Sequence, residues 1–84
     1  MPETALLKVI IQNPDEIVWQ GEAISVSSIN SAGPFDILPQ HAKFISILEN
    51  QKISVRTQTQ TLSFNFYTSV LSIENNVVTI FANL

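Results

Sequence analysis

The 84-residue chain has no cysteine, two glycines, one histidine and one tryptophan, and charged residues make up only 13% of it. Each shortage excludes something. Without cysteine there can be no disulfide, no thiolate metal site and no cysteine nucleophile, which fits a reducing compartment. Two glycines, Gly21 and Gly33, cannot supply a phosphate-binding loop, a dinucleotide fingerprint or a G-x-S-x-G nucleophile elbow. A lone His41 cannot build a histidine metal centre, and the acids Glu3, Asp15, Glu16, Glu22, Asp36, Glu49 and Glu74 are scattered, most of them beside turns. His41 could act as a base oriented by Asp36, but nothing singles out one serine as its nucleophile. A domain this small also offers little cleft for a pair of catalytic carboxylates. No catalytic, cofactor-binding or metal-binding residues are therefore assigned, and the chain is expected not to be an enzyme.

Charge is scarce too. An average soluble domain carries roughly 25% charged residues. Here four basic residues, Lys8, Lys43, Lys52 and Arg56, are spread along a chain of net charge −3, so no basic patch is available for nucleic acid. No apolar run approaches the ~20 residues of a membrane-spanning helix. The start, "MPETALLKVII", has neither a basic n-region nor a cleavage site. The chain is expected to be soluble and unprocessed, with any membrane association made through a partner.

What is present is apolar residues in abundance, 45% of the chain, which excludes disorder. A single domain over residues 1–84 is expected, and one this short buries only somewhat more than ~60% of the surface its unfolded form exposes. So much apolar surface with so little charge suggests that part of the outside is covered by another protein.

The dominant period is two. In "KISVRT", Ile53 and Val55 alternate with Lys52, Ser54 and Arg56; in "TLSFNF", Leu62, Phe64 and Phe66 alternate with polar residues. Successive side chains of a strand face opposite sides, so each reads as a strand with one dry face. "ISVSSI" repeats the pattern with Ile24 and Val26, whereas "LLKVIIQ" and "VVTIFA" are apolar on both faces and should lie deep or at a covered edge. Turn residues separate these runs: "NPD" at 13–15, "NSAGP" at 30–34, "ENQ" at 49–51, "QTQ" at 58–60 and "ENN" at 74–76. In "QHAKFISIL" the β-branched residues and the preceding proline favour a strand over a helix. The expected fold is all-β, a small flattened sandwich of roughly eight to ten short strands. Trp19 reads as a core or partner contact more readily than as a ligand-stacking ring, since Ile17 and Val18 flank it. His41 reads as a hydrogen-bonded loop residue that fixes backbone geometry.

The segment "VSSINSAGPFDILPQHAKFISIL" resembles the most recognisable part of the epsilon subunit of rotary F-type ATP synthases, called delta in mitochondria. In that family a strand leads into a glycine-rich loop, an apolar pair, Pro-Gly-His-Ala and an apolar strand. Ser31, Ala32 and Gly33 match the loop, Ile37 and Leu38 the apolar pair, Pro39 the proline, and His41 and Ala42 the histidine-alanine pair. "LLKVIIQNPDEIVWQGEAISV" is similar to the family's first hairpin, with Gly21 at its glycine, and "SVLSIENNVVTIFAN" to its closing hairpin. The order and spacing agree over nearly the whole chain. Gln40 replaces the glycine before the histidine, Pro34-Phe35-Asp36 replaces an acid, an apolar residue and a second glycine, and Thr68-Ser69 replaces a glycine pair.

The resemblance implies a non-catalytic rotor subunit that binds the gamma subunit to the ring of c subunits, with no cofactor and no direct contact with the membrane. It places the chain at the ATP-forming face of an energy-coupling membrane, on the cytoplasmic side in a bacterium. Because the sequence stops at Leu84, about where the family's β domain ends, no C-terminal helical hairpin is expected, nor the inhibition of ATP hydrolysis associated with it. Ser31, Gly33, Pro34, Phe35, Asp36 and His41 are expected to form the c-ring contact. In that expectation residues 31–36 are an interface loop that presents Phe35 and Asp36 outward and contributes little to folding, while His41 braces it. The competing class is a free-standing sandwich that binds a carbohydrate or peptide through Trp19 and the same loop, which would require a concave aromatic platform.

Overall fold

A computed structural model describes residues 6–83. They form nine strands: β1 (Leu7–Gln12), β2 (Ile17–Ala23), β3 (Ser25–Asn30), β4 (Gly33–Ile37), β5 (Phe44–Glu49), β6 (Lys52–Arg56), β7 (Thr61–Asn65), β8 (Thr68–Glu74) and β9 (Val77–Ala82). One sheet has five strands in the order β2-β1-β9-β8-β5, the other four in the order β4-β3-β6-β7. All pairs are antiparallel except β1 with β9. The sheets pack face to face in a flattened body of 41 × 29 × 22 Å, and the all-β sandwich expected from the two-residue period is what forms.

The period also sets the core. Leu7, Val9 and Ile11 of β1, Val78 and Ile80 of β9, and Leu71 and Ile73 of β8 point inward from the larger sheet with no solvent exposure. Val26, Ile37, Ile53 and Val55 meet them from the smaller one. Each such side chain contributes about 1.5–3 kcal/mol by leaving water. The two strands apolar on both faces, β1 and β9, lie side by side in the middle of the five-stranded sheet. Trp19, Phe64 and Leu62 close one open side of the sandwich. The indole lies 6.2 Å from the Phe64 ring and directly over Gly21, where a Cβ would stand 2.8 Å from the ring.

The turns follow the residue types. Asn13 Oδ1 accepts hydrogen bonds from the backbone N–H groups of Asp15 and Glu16, both at 2.8 Å. The β8–β9 hairpin turns on Asn75 and Asn76, both left-handed (φ 53° and 62°), the pairing a two-residue hairpin requires. Asn50 (φ 53°) is left-handed too, at the turn where the chain passes from β5 in one sheet to β6 in the other.

One segment departs from expectation. "GPFDI" is not a loop but the edge strand β4, joined to β3 by a tight turn at Ser31 and Ala32. Pro34 fits there because an edge strand has one side on which no N–H is needed. The strand's alternation then determines where each side chain points. Phe35 turns inward, half-buried against the core, its ring 5.4 Å from that of Phe44, so the expectation that Phe35 is presented outward is wrong. Asp36, one residue on, does face solvent.

Candidate partner-binding surface

The outer faces of the two sheets differ in chemistry. Across the five-stranded sheet the strand registers align Ile17, Gln12, Phe81, Val70 and Ile47 in one row. The neighbouring row runs Gln20, Ile10, Thr79, Ser72, Ile45. Ile45 and Ile47 are 65% and 64% exposed, Ile17 is 55% exposed, and the bulged Val18 beside it and Phe81 are exposed as well. Scattered surface isoleucines need no explanation, but apolar side chains on all five strands, spread over about 19 Å at ~4.8 Å per strand and interrupted by Gln12, Gln20, Thr79 and Ser72, form the kind of patch that marks protein–protein contacts. The next row is charged: Glu22, Lys8, Val77 and Glu74, with Lys43 Nζ 3.9 Å from the Glu74 carboxylate. An apolar centre bordered by charges is how protein–protein interfaces are built.

The four-stranded sheet turns a mostly polar face outward, with Ile29 and Pro34 at one end the exceptions. Asp36, Ser27, Ser54 and Ser63 form one row across all four strands, and the Ser27 hydroxyl donates to Asp36 Oδ1 at 2.5 Å. Ser25, Arg56 and Thr61 form the next. Such a face is at home in water.

The residues expected to form one contact are divided. Ser31 and Gly33 lie at one end of the sandwich, where Ile29, Asn30, Ser31, Ile47, Glu49 and Gln51 line a shallow groove. Pro34 and Asp36 lie exposed along β4, and Phe35 faces the core. His41 lies at the opposite end, beyond a strand about 16 Å long by the ~3.3 Å rise per residue. It sits in the connection from β4 to β5 beside the β8–β9 turn. There His41 Nδ1 lies 2.7 Å from the Ala42 carbonyl oxygen, which can only accept, so Nδ1 carries the proton. The ring edge meets Phe44 at 5.7 Å, and the backbone N–H of His41 donates to Leu38 O at 3.1 Å. His41 thus braces its own connection and not the turn at Ser31.

The apolar band was not singled out from the sequence, yet its signal is there. "FISIL" and "VVTIFA" are too apolar for strands with one wet face, and β1 shares that property. Among the described residues no group of three or more His, Asp or Glu side chains converges. Trp19 is half-buried, its ring 6.2 Å from that of Phe64 at an interplanar angle of 47°.

These features define a class: a small two-sheet β-sandwich with one water-facing outer surface and one apolar outer surface. Residues 6–84 match the family model described as ATP synthase, Delta/Epsilon chain, beta-sandwich domain, and the chain belongs to that family. It is 32% identical over 77 residues to the ATP synthase epsilon chain of Synechococcus elongatus, covering 92% of this chain and 56% of that relative. The chain therefore spans little more than half the length of that curated relative. Two solved assemblies contain chains of similar fold. The structure of Euglena gracilis mitochondrial ATP synthase (OSCP/F1/c-ring) matches with a TM-score of 0.85 at 15% identity, over 93% of this chain and 51% of that one. The Tetrahymena thermophila mitochondrial ATP synthase central stalk and c-ring matches with a TM-score of 0.75 at 10% identity, over 90% and 62%.

Proposed function

We infer that the chain is a non-catalytic central-stalk subunit of an F-type ATP synthase. In this reading it holds the gamma subunit to the c ring, so that ring rotation driven by ion flow turns gamma. Membership of the delta/epsilon family supplies the setting, and the solved assemblies of like fold are described as containing a c-ring. The observation that carries the reading is the apolar band over the outer face of the five-stranded sheet, which suits a large, permanent protein partner. Gamma is assigned to that face. The exposed strip Ser31, Pro34 and Asp36, with the turn glycine Gly33, is assigned to the polar loops of the c ring, where a carboxylate can meet Arg and amide groups. Phe35 supports that strip from beneath, and His41 belongs to the other end of the molecule. The subunit is peripheral, on the ATP-forming face of an energy-coupling membrane, and reaches the membrane only through the ring.

Transmitting torque needs a body that does not deform between its two attachments, and a sandwich with a close-packed core provides one. The test is co-elution. The chain, mixed with purified gamma, should run as a stable complex in gel filtration and should then capture detergent-solubilised c ring. Separate elution from gamma at micromolar concentrations would sink the reading.

A further inference from the structure

The loop that carries His41 is held in a conformation its sequence does not favour. Gln40 is left-handed (φ 68°), a region in which asparagine and glycine are common and glutamine is not. One residue from elsewhere in the chain holds it there. The Gln40 backbone N–H donates to Asn76 Oδ1 at 2.6 Å, across 36 positions of sequence. The Asn76 backbone carbonyl accepts the N–H of Lys8 at 2.8 Å, at the start of β1. Asn76 is itself left-handed (φ 62°) as a member of the β8–β9 turn. A single asparagine therefore ties the β4–β5 connection, the β8–β9 turn and the entry to β1 together.

The tied unit lies against the apolar band. Glu74 and Lys8 belong to the charged row that borders the band, and Lys43 of the same connection reaches Glu74. Leu38, 55% exposed, stands at the other end of the connection. We propose that Asn76 is a positioning residue for the gamma-facing surface. Through the Gln40 N–H it presets residues 38–43 as a fixed rim, so that docking does not have to order a flexible loop. This rests on the assignment of gamma to the five-stranded sheet. Its physical logic is preorganisation: a loop ordered before binding saves the cost of ordering it on binding.

Substitutions separate the side chain's acceptor from the backbone shape. Asn76→Gly keeps the left-handed turn and removes the acceptor, whereas Asn76→Asp keeps both. Hydrogen exchange of the full chain, read residue by residue by NMR, should show the Gln40 amide exchanging roughly tenfold faster or more in Asn76→Gly, the scale of one lost hydrogen bond. Core amides such as those of Leu71 and Ile73 report any general loss of stability, and rates are compared after correcting for it. Affinity for gamma should fall about five- to tenfold in Asn76→Gly and stay near that of the parent in Asn76→Asp. Adding Gln40→Gly to Asn76→Gly should recover part of the loss, because glycine takes the left-handed shape unaided. Unchanged exchange at Gln40 in Asn76→Gly would overturn the clamp. A loosened loop with unchanged gamma affinity would overturn its positioning role while leaving the gamma assignment intact. If the parent chain does not bind gamma at all, that assignment fails, and the exchange measurement alone decides whether Asn76 sets the loop.

Discussion

The outer face of the five-stranded sheet carries Ile10, Ile45, Ile47, Val70 and Phe81, while that of the four-stranded sheet carries Ser25, Ser27, Ser54, Ser63 and Asp36. Both sheets present mainly apolar inner faces, so folding alone does not require the difference. A sandwich needs one dry surface per sheet. The second dry surface on the larger sheet adds nothing to the core and exposes the chain to aggregation unless something covers it. The contrast therefore speaks about function where the core speaks only about fold.

The largest expected effect comes from charging the apolar face. Ile45→Asp together with Ile47→Asp should weaken gamma binding by ~100-fold or more, since interface centres tolerate unpaired charge poorly. Both side chains are mostly exposed, so the thermal midpoint should hold. Ser27→Asp with Ser54→Asp on the opposite face should leave gamma binding unchanged. Calorimetric titration of the two double variants against gamma checks both statements, and equal losses would erase the distinction between the faces.

Next is Phe35→Ala. A fully buried phenylalanine costs ~3–5 kcal/mol when truncated, and this half-buried ring against Phe44 should cost on the order of 2–3 kcal/mol in a denaturant melt. A change within the ±0.5 kcal/mol typical of surface positions would return Phe35 to the outside. Asp36→Ala should do the opposite. It removes one exposed hydrogen bond from Ser27, so stability should change by no more than ~1 kcal/mol while capture of the c ring weakens. A pull-down that retains the ring unchanged would remove Asp36 from that contact. The smallest effect is a gain. Gln40→Gly relieves a left-handed glutamine and should stabilise the fold by roughly 0.5–1 kcal/mol, read from the same melts.

Much of the fold was legible because period two is a local signal. Ile53 and Val55, Leu62 and Phe64, and the turns at 13–15 and 74–76 declare their geometry within a few residues. Helical and strand readings of "KFISIL" were separable because β-branched residues and Pro39 pointed the same way. Residues 31–36 were misread for a corresponding reason. Gly33 and Pro34 are local loop signals, and only pairing with β3, a contact between strands, turns that stretch into an edge strand and directs Phe35 inward. The division of the expected site had the same origin: Ser31 and His41 are ten positions apart in sequence, and β4 carries the chain from one end of the sandwich to the other between them. The apolar face was hidden as well, because Ile47, Val70, Phe81 and Ile17 come from four strands and become one row only once the registers are fixed. The clamp from Asn76 to Gln40 is likewise invisible without the fold.

The central claim is that the outer face of the five-stranded sheet is the covered one, and methyl-labelled NMR of the chain titrated with gamma tests it most directly. The account predicts that the methyl signals of Ile10, Ile17, Ile45, Ile47 and Val70 shift or broaden together at stoichiometric gamma, while the methyl of Thr61, on the outer face of the four-stranded sheet, is unmoved. Perturbation of Thr61, with the five methyl-bearing residues of the apolar face unchanged, would contradict it.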